Sequence, residues 1–428
     1  MQVMYLLENL QSDLDESIAK IKENLQINIR NSFLQGSLSK SPINKLADLI
    51  IDYAVKMCAS DIHFEPQQDY LQIRFRIDGV LLLVYKVPQQ IQNQLISYLK
   101  LMAGMDISEK RLPQDGSILY TKKRLDIRVS VIPVLFGEKI VMRLLSSDSK
   151  ILSLSQMGFS VDNLHLFKRL IKSSSGIITI TGPVNSGKST LLYSVLNYLN
   201  TQNVNIVTIE DPIEMKINGI NQMQVNLKAG MDFAKGLRAI LRQDPDIVMI
   251  GEIRDEASAK EAVRAALTGH LVFTTLHTSN ALGAVARLVD MNVKPSMLSI
   301  ALAGSVAQRL VRKICPKCKE VYQPEENSLE AFLLGKNFYT GMKLFKGRGC
   351  SFCNNSGYVG RIAVHEIMVL DDNIRMLIAK GEIDLKLKRF LYLNGMKTLR
   401  DDCCEKVLSG ITTTQEVWRV LNGVYKFR

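Results

Sequence analysis

The feature that most constrains this chain is the segment Gly-Pro-Val-Asn-Ser-Gly-Lys-Ser-Thr at 182–190, which fits the pattern G-x-x-x-x-G-K-[ST]. It follows an apolar, β-branched run at Ile177–Thr181 and precedes a helical pattern at Leu191–Leu199. Glycines let the backbone curl so that its N–H groups face a phosphate, and the amino terminus of the helix adds a favourable dipole. The segment therefore predicts a strand, a loop and a helix that together bind a nucleotide.

Each residue type in this loop suits a triphosphate. Lys188 should reach the β- and γ-phosphates, and the Ser189 hydroxyl should ligate Mg²⁺. Both residues open the predicted helix, as the motif requires. The predicted nucleotide-binding residues are Gly182, Pro183, Val184, Asn185, Ser186, Gly187, Lys188, Ser189 and Thr190.

Short β-rich runs alternate with helical patterns after residue 151. Such alternation indicates an α/β fold with a mostly parallel sheet covered by helices. The segments after the phosphate loop are strands at Ile206–Ile209, Ile247–Ile250 and Leu271–Leu276, with helices at Phe233–Leu241 and Ala257–Leu267.

The region before residue 149 has a different pattern. A helical segment at Ile43–Met57 leads into alternating segments at Tyr70–Ile77 and Leu125–Val131, which are typical of half-buried strands. We therefore expect three parts. They are an amino-terminal helix and linker at 1–41, an α+β domain at 42–148, and a nucleotide-binding domain at 149–428 with a cysteine-bearing insertion at about 313–360 and a helical tail at 361–428.

Net charge and hydropathy restrict which partners this chain can bind and where in the cell it can act. The formal net charge of +12 suits an anionic partner such as a nucleotide, a nucleic acid or a membrane face, and it also fits an ordinary solvated basic surface. No uncharged apolar run approaches the roughly 18 residues needed to cross a bilayer. The amino terminus lacks the basic start and cleavage site of a signal peptide. We expect a cytoplasmic protein that reaches a membrane only through a partner or surface charge.

Two acidic groups follow predicted strands. Glu210-Asp-Pro-Ile-Glu214 comes directly after Ile206–Ile209, and Glu252 ends the apolar run that starts at Asp246. Ligands of open parallel sheets gather at the carboxyl ends of the strands. The acids are therefore placed to contact Mg²⁺ or the attacking water, and the second group has the pattern of a Walker B motif.

Four of the seven cysteines form two C-x-x-C pairs, Cys315 with Cys318 and Cys350 with Cys353. Each pair can chelate one metal ion from a tight turn, and two pairs complete a tetrahedral Cys₄ zinc site. A redox pair is the alternative, but two pairs in a chain without a secretion signal favour structural zinc. Cys58, Cys403 and Cys404 lack this spacing and are expected to be packing residues.

Four segments together resemble the secretion and pilus assembly ATPase family. ITITGPVNSGKST, IVTIEDPIE, LRAILRQDPDIVMIGEIRD and LTGHLVFTTLHTSNA follow one another as that family's Walker A, Asp box, Walker B and His box. Upstream, SDIHFEP, RFRIDG and RLPQDG are similar to its second amino-terminal domain. The resemblance covers about residue 42 to the end. It implies a RecA-like P-loop core preceded by a PAS-like α+β domain.

The resemblance also implies residue roles. Glu214 would be the general base that activates water, and Glu252 would hold the Mg²⁺ shell. His277, with His270 as a second candidate, would sense the γ-phosphate. The arginines implied in phosphate contact are Arg128 and Arg143 from the amino-terminal domain and Arg238 and Arg242 from the ATPase domain.

The family further implies ATP, Mg²⁺ and Zn²⁺ as cofactors and a homohexamer that acts on an inner-membrane platform protein, without nucleic acid. Two other functions stay open: a nucleic-acid translocase or DNA-uptake ATPase, and a non-hydrolysing nucleotide-binding scaffold. The chain departs from the family at its short amino-terminal region and at four residues. Val184 and Asn185 replace Thr and Gly in the loop, and Asn292 and Cys403 replace glycines.

Overall fold

The protein is described by a computed structural model. It describes residues 9–21, 42–123, 125–146 and 151–421. The chain divides into two compact units, described separately below. Unit 1 comprises Met1–Ser149, Cys315–Cys318 and Gly347–Val359, and unit 2 comprises Lys150–Ile314, Lys319–Lys346 and Gly360–Arg428.

Unit 1 is built on an antiparallel sheet with helices on one face. Its six strands are arranged in the order β3-β2-β1-β6-β5-β4. Its helices are α1 (9–21), α2 (Pro42–Lys56) and α3 (Gln89–Met102), and its strands are β1 (Asp61–Pro66), β2 (Tyr70–Ile77), β3 (Val80–Pro88), β4 (Gln114–Tyr120), β5 (Leu125–Val134) and β6 (Gly137–Ser146). The helix and the two strands predicted for this region are confirmed.

One apolar core packs the helices of unit 1 against its sheet. Helix α1 contributes Leu10, Leu14, Ile18 and Ile21, which recur every three or four residues and are buried. Strand β2 alternates buried and partly exposed residues, as the half-buried pattern predicts. The amino-terminal helix predicted before residue 41 is thus present at 9–21, and the predicted linker falls on 22–41, outside the described residues.

Unit 2 alternates strands and helices as the sequence predicts. Its strands are β7 (Gly176–Thr181), β8 (Ile206–Glu210), β9 (Asn221–Gln224), β10 (Ile247–Ile250), β11 (Leu271–Leu276), β12 (Leu302–Ile314), β13 (Lys319–Tyr322), β14 (Leu344–Gly347) and β15 (Tyr358–Val369). Its helices are α4 (Val161–Leu170), α5 (Lys188–Leu199), α6 (Phe233–Ile240), α7 (Glu256–Leu267), α8 (Gly283–Asp290), α9 (Pro295–Ala301), α10 (Leu329–Leu334), α11 (Asp372–Ala379), α12 (Leu385–Leu393), α13 (Leu399–Leu408) and α14 (Thr414–Leu421). The strands and helices predicted after residue 151 are confirmed, with small shifts at their ends.

The main sheet of unit 2 has the strand order β15-β12-β7-β11-β10-β8-β9. Neighbouring strands from β12 to β9 pair in parallel. Two cores cover its faces: Ile177 of β7 packs into one and Ile178 into the other. Successive side chains of a strand point to opposite faces, so a sheet covered on both sides needs continuous apolar strands.

The expected helical tail starts later than predicted. Residues 361–369 belong to β15, which lies beside β12 at the edge of the sheet. The run Ile362–Val369 is apolar and nearly continuous, which favours a buried strand over a surface helix. Within the predicted tail, the helices begin only at Asp372. Within the described ranges, every helix falls short of the length and apolar character that a bilayer crossing demands.

Two of the residues that replace family glycines lie in the left-handed backbone region. Asn185 has a φ of 63° and Asn292 a φ of 59°. Asparagine is among the few residues that tolerate this region, because its short side chain can hydrogen-bond locally. Cys403 lies within α13 and is fully buried, so its position does not require glycine. The substitutions are therefore compatible with the fold.

Asn292 offers a test of this explanation. Its side-chain amide also donates to Glu256 Oε2 at 2.7 Å. We expect Asn292→Ala to lower the free energy of unfolding by about 1–2 kcal/mol, because alanine is strained at positive φ. Asn292→Gly should lose less, since glycine adopts that conformation readily. Urea denaturation measures both variants. Equal losses would show that the bond to Glu256 matters more than the backbone.

Candidate functional site

Four loops meet at one edge of the main sheet of unit 2. They follow β7, β11, β10 and β8, which are consecutive neighbours in that sheet. Because these strands are parallel, their carboxyl ends lie at the same edge. The loop after β7 is the glycine-rich segment, and the others carry His277, Glu252 and the acids of Glu210–Glu214. The register brings the predicted groups of unit 2 together, apart from the three residues described below.

The phosphate loop depends on two glycines. Gly187 has a φ of 85° and forms the cap of α5. A Cβ on Gly182 would come within 2.6 Å of the Gln308 carbonyl oxygen, and one on Gly187 within 2.7 Å of Gln308 Nε2. Any larger residue would push the loop away from β12. Inside the loop, the buried Ser186 hydroxyl has no hydrogen-bond partner among the described residues.

Lys188 lies at the start of α5 and is almost fully buried. Its Nζ donates to the carbonyl oxygens of Gly182 and Pro183, both at 2.9 Å. Burial lowers the pKa of Lys188 to about 8, although the Glu252 carboxylate favours the charged amine. The amine thus lies inside the loop, at the helix terminus where an anion is favoured. Ser189, the next residue, is exposed.

Glu252 and His277 form a second part of this edge. His277 Nε2 lies 3.5 Å from Glu252 Oε2, and Arg254 pairs with the other carboxylate oxygen. Burial, with the nearby charge of Lys188, lowers the pKa of His277 in the nucleotide-free chain, which favours the neutral imidazole. A neutral ring can donate or accept a proton, which suits contact with a phosphate oxygen.

A tyrosine organises the acidic loop after β8. Glu210 is buried and accepts from the hydroxyls of Tyr193 and Thr208 and from Gln222 Nε2. The Tyr193 hydroxyl oxygen in turn accepts from the backbone N–H of Glu214 at 3.1 Å. Glu210 is therefore committed to structure, whereas Glu214 has an exposed side chain on a loop anchored to α5.

Three predicted residues of unit 2 lie away from this edge. His270 precedes β11, and its backbone oxygen accepts from Gly176 N at the opposite edge of the sheet. Arg238 and Arg242 are exposed on and just after α6. Arg238 Nη1 lies 3.2 Å from Glu261 Oε1, and Arg242 donates to the Arg238 carbonyl. In this chain, the two arginines face outward rather than toward their own phosphate loop.

Arg128 and Arg143 belong to unit 1, on neighbouring strands. They are direct partners in the register of β5 and β6. Arg143 Nε donates to the buried carboxylate of Asp61 at 3.1 Å, while about half of its side chain is exposed. The register places the two arginines on the same face of the sheet.

Four buried polar residues beneath the site were not predicted from the sequence. They form two adjacent pairs within apolar strands, which is the signal that could have revealed them. Arg309 Nη2 donates to the Ser279 carbonyl at 2.6 Å, and Glu366 Oε1 accepts from Ala281 N at 2.8 Å, so both hold the loop after His277. The four residues are Gln308 and Arg309 of β12 and His365 and Glu366 of β15.

The four cysteines of the two C-x-x-C pairs meet in unit 1. Their sulfurs all lie within 4.8 Å of one another. The Sγ atoms of Cys315 and Cys350 are 3.9 Å apart, those of Cys318 and Cys353 are 3.8 Å apart, and those of Cys350 and Cys353 are 3.7 Å apart. Tetrahedral zinc with Zn–S bonds of about 2.3 Å requires sulfurs about 3.8 Å apart. The donor set therefore fits one zinc ion.

Comparison with known proteins agrees with this geometry. The sequence model for the type II/IV secretion system protein family matches residues 37–419. The type II secretion system ATPase E of Vibrio cholerae is 45% identical over 417 residues, covering 97% of this chain and 82% of the relative. The type IV pilus assembly ATPase PilB of Thermus thermophilus is 47% identical over 382 residues, covering 89% of this chain but only 43% of the relative.

Solved structures show the same fold. The pilus retraction motor PilT, with bound ADP, is similar with a TM-score of 0.58 and 26% identity, over 86% of this chain and 95% of that one. The ATPase DotB of Legionella pneumophila has a TM-score of 0.65 and 22% identity, over 92% and 99%. The predicted α/β fold with a RecA-like core is confirmed, as is the recognised family. The chain belongs to the type II/IV secretion system protein family.

Proposed function

We propose that this chain is an ATP-hydrolysing motor for the assembly of a type IV pilus or a type II secretion pseudopilus. The observation that carries the proposal is the meeting of Lys188, Glu252 and His277 beside a glycine loop at one sheet edge. ATPase is the activity named for the Vibrio and Thermus relatives. The two candidate acids and the lysine all remain, which argues against a scaffold that binds nucleotide without hydrolysing it.

The residues of the phosphate loop would bind the nucleotide, and the acidic residues would hold the metal ion and activate water. Lys188 would exchange its bonds to two loop carbonyls for phosphate oxygens, and the Ser189 hydroxyl and Glu252 would hold Mg²⁺. A Mg²⁺ ion bound together with ATP would neutralise part of the negative charge of the β- and γ-phosphates. Glu214 would take a proton from water, since its side chain is exposed on a loop anchored by Tyr193. His277 would contact the γ-phosphate through its imidazole ring.

The arginines suggest that hydrolysis is coupled to movement. Arg238 and Arg242 face outward, so they would meet the nucleotide of a neighbouring subunit in a homohexameric ring. Arg128 and Arg143 of unit 1 would contact the phosphates of bound ATP and lose that contact after hydrolysis. A guanidinium supplied this way can change the rate by orders of magnitude. Each turnover would then become a rigid-body domain movement.

The motor would work in the cytoplasm, at the inner face of the membrane, by acting on a platform protein. Membrane association would be peripheral and through that partner. The alternative, a nucleic-acid translocase, gains no support from the relatives reported above, which are named for secretion or pilus assembly. If duplex DNA stimulates hydrolysis in a salt-dependent way, the translocase is favoured instead.

The cysteine cluster would hold one structural zinc ion. Four protein sulfurs fill a tetrahedral shell, so no position remains for catalysis. Backbone N–H groups of Cys350 and Gly357 both lie 3.3 Å from Cys353 Sγ and would stabilise a bound thiolate. The redox alternative is less suited, since a disulfide needs only two of these four converging sulfurs.

Hydrolysis should depend on both acids while binding does not. We expect Glu214→Gln and Glu252→Gln each to lower kcat by about 100-fold or more, because the carboxylate acts in the hydrolytic step. Phosphate release measures kcat, and calorimetry with ATP measures affinity. Glu256→Gln, an exposed acid at the start of α7, is the matched control. If Glu214→Gln turns over at the wild-type rate, Glu214 is not the base.

Affinity for ATP should fall in alkaline solution. Burial lowers the pKa of Lys188 to about 8, so the amine is charged below this value and neutral above it in the nucleotide-free chain. Binding must then recruit a proton, and the affinity should drop by up to about tenfold per pH unit above about pH 8. Calorimetry between about pH 7.5 and 9.5 measures this. Lys188→Ala should bind weakly without the slope, and a flat wild-type profile would contradict the assignment.

Zinc removal should weaken the fold before it weakens nucleotide binding. The purified, reduced protein should contain about one zinc ion per chain. Cys350→Ser should lose the ion and unfold at a lower temperature with nearly unchanged ATP affinity, since metal binding contributes to folding. Cys58→Ser, outside the cluster, should keep the zinc. Elemental analysis and thermal unfolding measure both. Protein without zinc would overturn this proposal.

A further inference from the structure

We propose that Gln308 of β12, held in one orientation by His365 of β15, is a positioning residue that fixes the phosphate loop for nucleotide binding. Gln308 and His365 are both fully buried beneath the loop. The inference rests on the proposed function, because it assigns these residues to the same ATP site.

The amide of Gln308 is oriented by its two partners. Nε2 donates to the Ser186 carbonyl oxygen at 2.8 Å, and Oε1 lies 3.2 Å from His365 Nε2. A carbonyl oxygen can only accept, so the NH₂ end of the amide must face Ser186. The amide oxygen then faces His365, and His365 Nε2 must carry the proton. If the amide were reversed, Gln308 Oε1 would face the Ser186 carbonyl oxygen, and two acceptors would lie against each other.

His365 is itself held in place. Its ring stacks on Phe159 with centroids 3.7 Å apart and an angle of 14°. Its backbone N–H donates to Asp402 Oδ2 at 2.8 Å. Nδ1 has no hydrogen-bond partner in the part of the chain that the structure describes, so a second proton there would have no acceptor. The ring is therefore a neutral donor toward Gln308, and burial keeps its pKa well below the usual value.

The bond to Ser186 sets the direction of a donor for phosphate. In a planar trans peptide the C=O and the following N–H point in opposite directions. Fixing the Ser186 carbonyl on Gln308 therefore fixes the Gly187 N–H on the far side of the loop. Asn185 and Gly187 both have positive φ, so this peptide lies between two unusual conformations. A donor held in advance costs no reorganisation when an anion binds.

Gln308 also contacts the other end of the loop. A Cβ on Gly182 would meet the Gln308 carbonyl oxygen at 2.6 Å, while one on Gly187 would meet its Nε2 at 2.7 Å. The missing side chain at Gly182 therefore lets the backbone of β12 approach one end of the loop, and that at Gly187 lets the glutamine amide approach the other. Glycine is therefore required at position 187 for two reasons: its positive φ, and the space that its missing side chain leaves for the Gln308 amide.

The test is a double-mutant cycle on nucleotide affinity. Gln308→Leu removes the donor to Ser186, and His365→Phe keeps an aromatic ring against Phe159 but removes the proton on Nε2. Each should raise the Kd for ATP about tenfold, because a buried carbonyl or amide loses its partner. The double variant should bind no more weakly than Gln308→Leu alone, since His365 acts only through Gln308.

Two control variants separate positioning from stability. Ser305→Ala changes a buried hydroxyl of β12 that has no hydrogen-bond partner among the residues described, and its Kd should be unchanged. Phe167→Leu weakens the packing under Phe159 without touching Gln308. Calorimetry gives the Kd and urea denaturation gives the stability of every variant.

The outcomes distinguish the possibilities. Additive losses from Gln308→Leu and His365→Phe, or losses that Phe167→Leu reproduces at equal stability, would overturn the positioning role. If Gln308→Leu fails to fold, His365→Phe alone still decides, because wild-type affinity in that variant contradicts the proposal. Failure of the wild-type chain to bind ATP would instead remove the proposed function.

Discussion

The parallel register of β7, β11, β10 and β8 is the constraint on which the site depends. These strands are short and fully buried, so sliding any of them by one residue would turn apolar side chains into the wrong core. Each strand delivers one loop to the same edge. Lys188, His277 and Glu252 are far apart in sequence and become neighbours only through this pairing. The site thus inherits its geometry from the core.

A second layer supports those loops from below. β12 and β15 place the pair Gln308 and Arg309 beside the pair His365 and Glu366, all buried. Arg309 and Glu366 hold the loop that follows His277. Gln308, which is supported by His365, holds the phosphate loop. Buried polar groups are costly unless they are paired, and these are paired largely with the backbone of the two loops. Such an arrangement holds the backbone of both loops in place from beneath the site.

Much of the fold and part of the site could be predicted from the sequence, because their signals are local. Apolar runs gave the strands, and the spacing of Gly182, Gly187 and Lys188 gave the loop. The adjacent polar pairs could have drawn attention to Gln308 and His365. Their contact could not be predicted, since the two residues lie 57 positions apart and meet only when β12 pairs with β15. His270 was a second candidate beside His277, and the direction of β11 places only His277 at the end of the strand that faces the phosphate loop. Residues 361–369 were misassigned to a helix because a short apolar run does not reveal its period.

The spacing of the cysteine sulfurs also determines what oxidation would do to this protein. Two sulfurs 3.7–3.9 Å apart need to approach to only about 2.05 Å to form a disulfide. One such bond removes two of four metal donors, so the remaining pair could not close a tetrahedral shell. An oxidant would therefore convert a metal-binding turn into a metal-free one, and a bound metal ion would act as a protecting group for all four thiols.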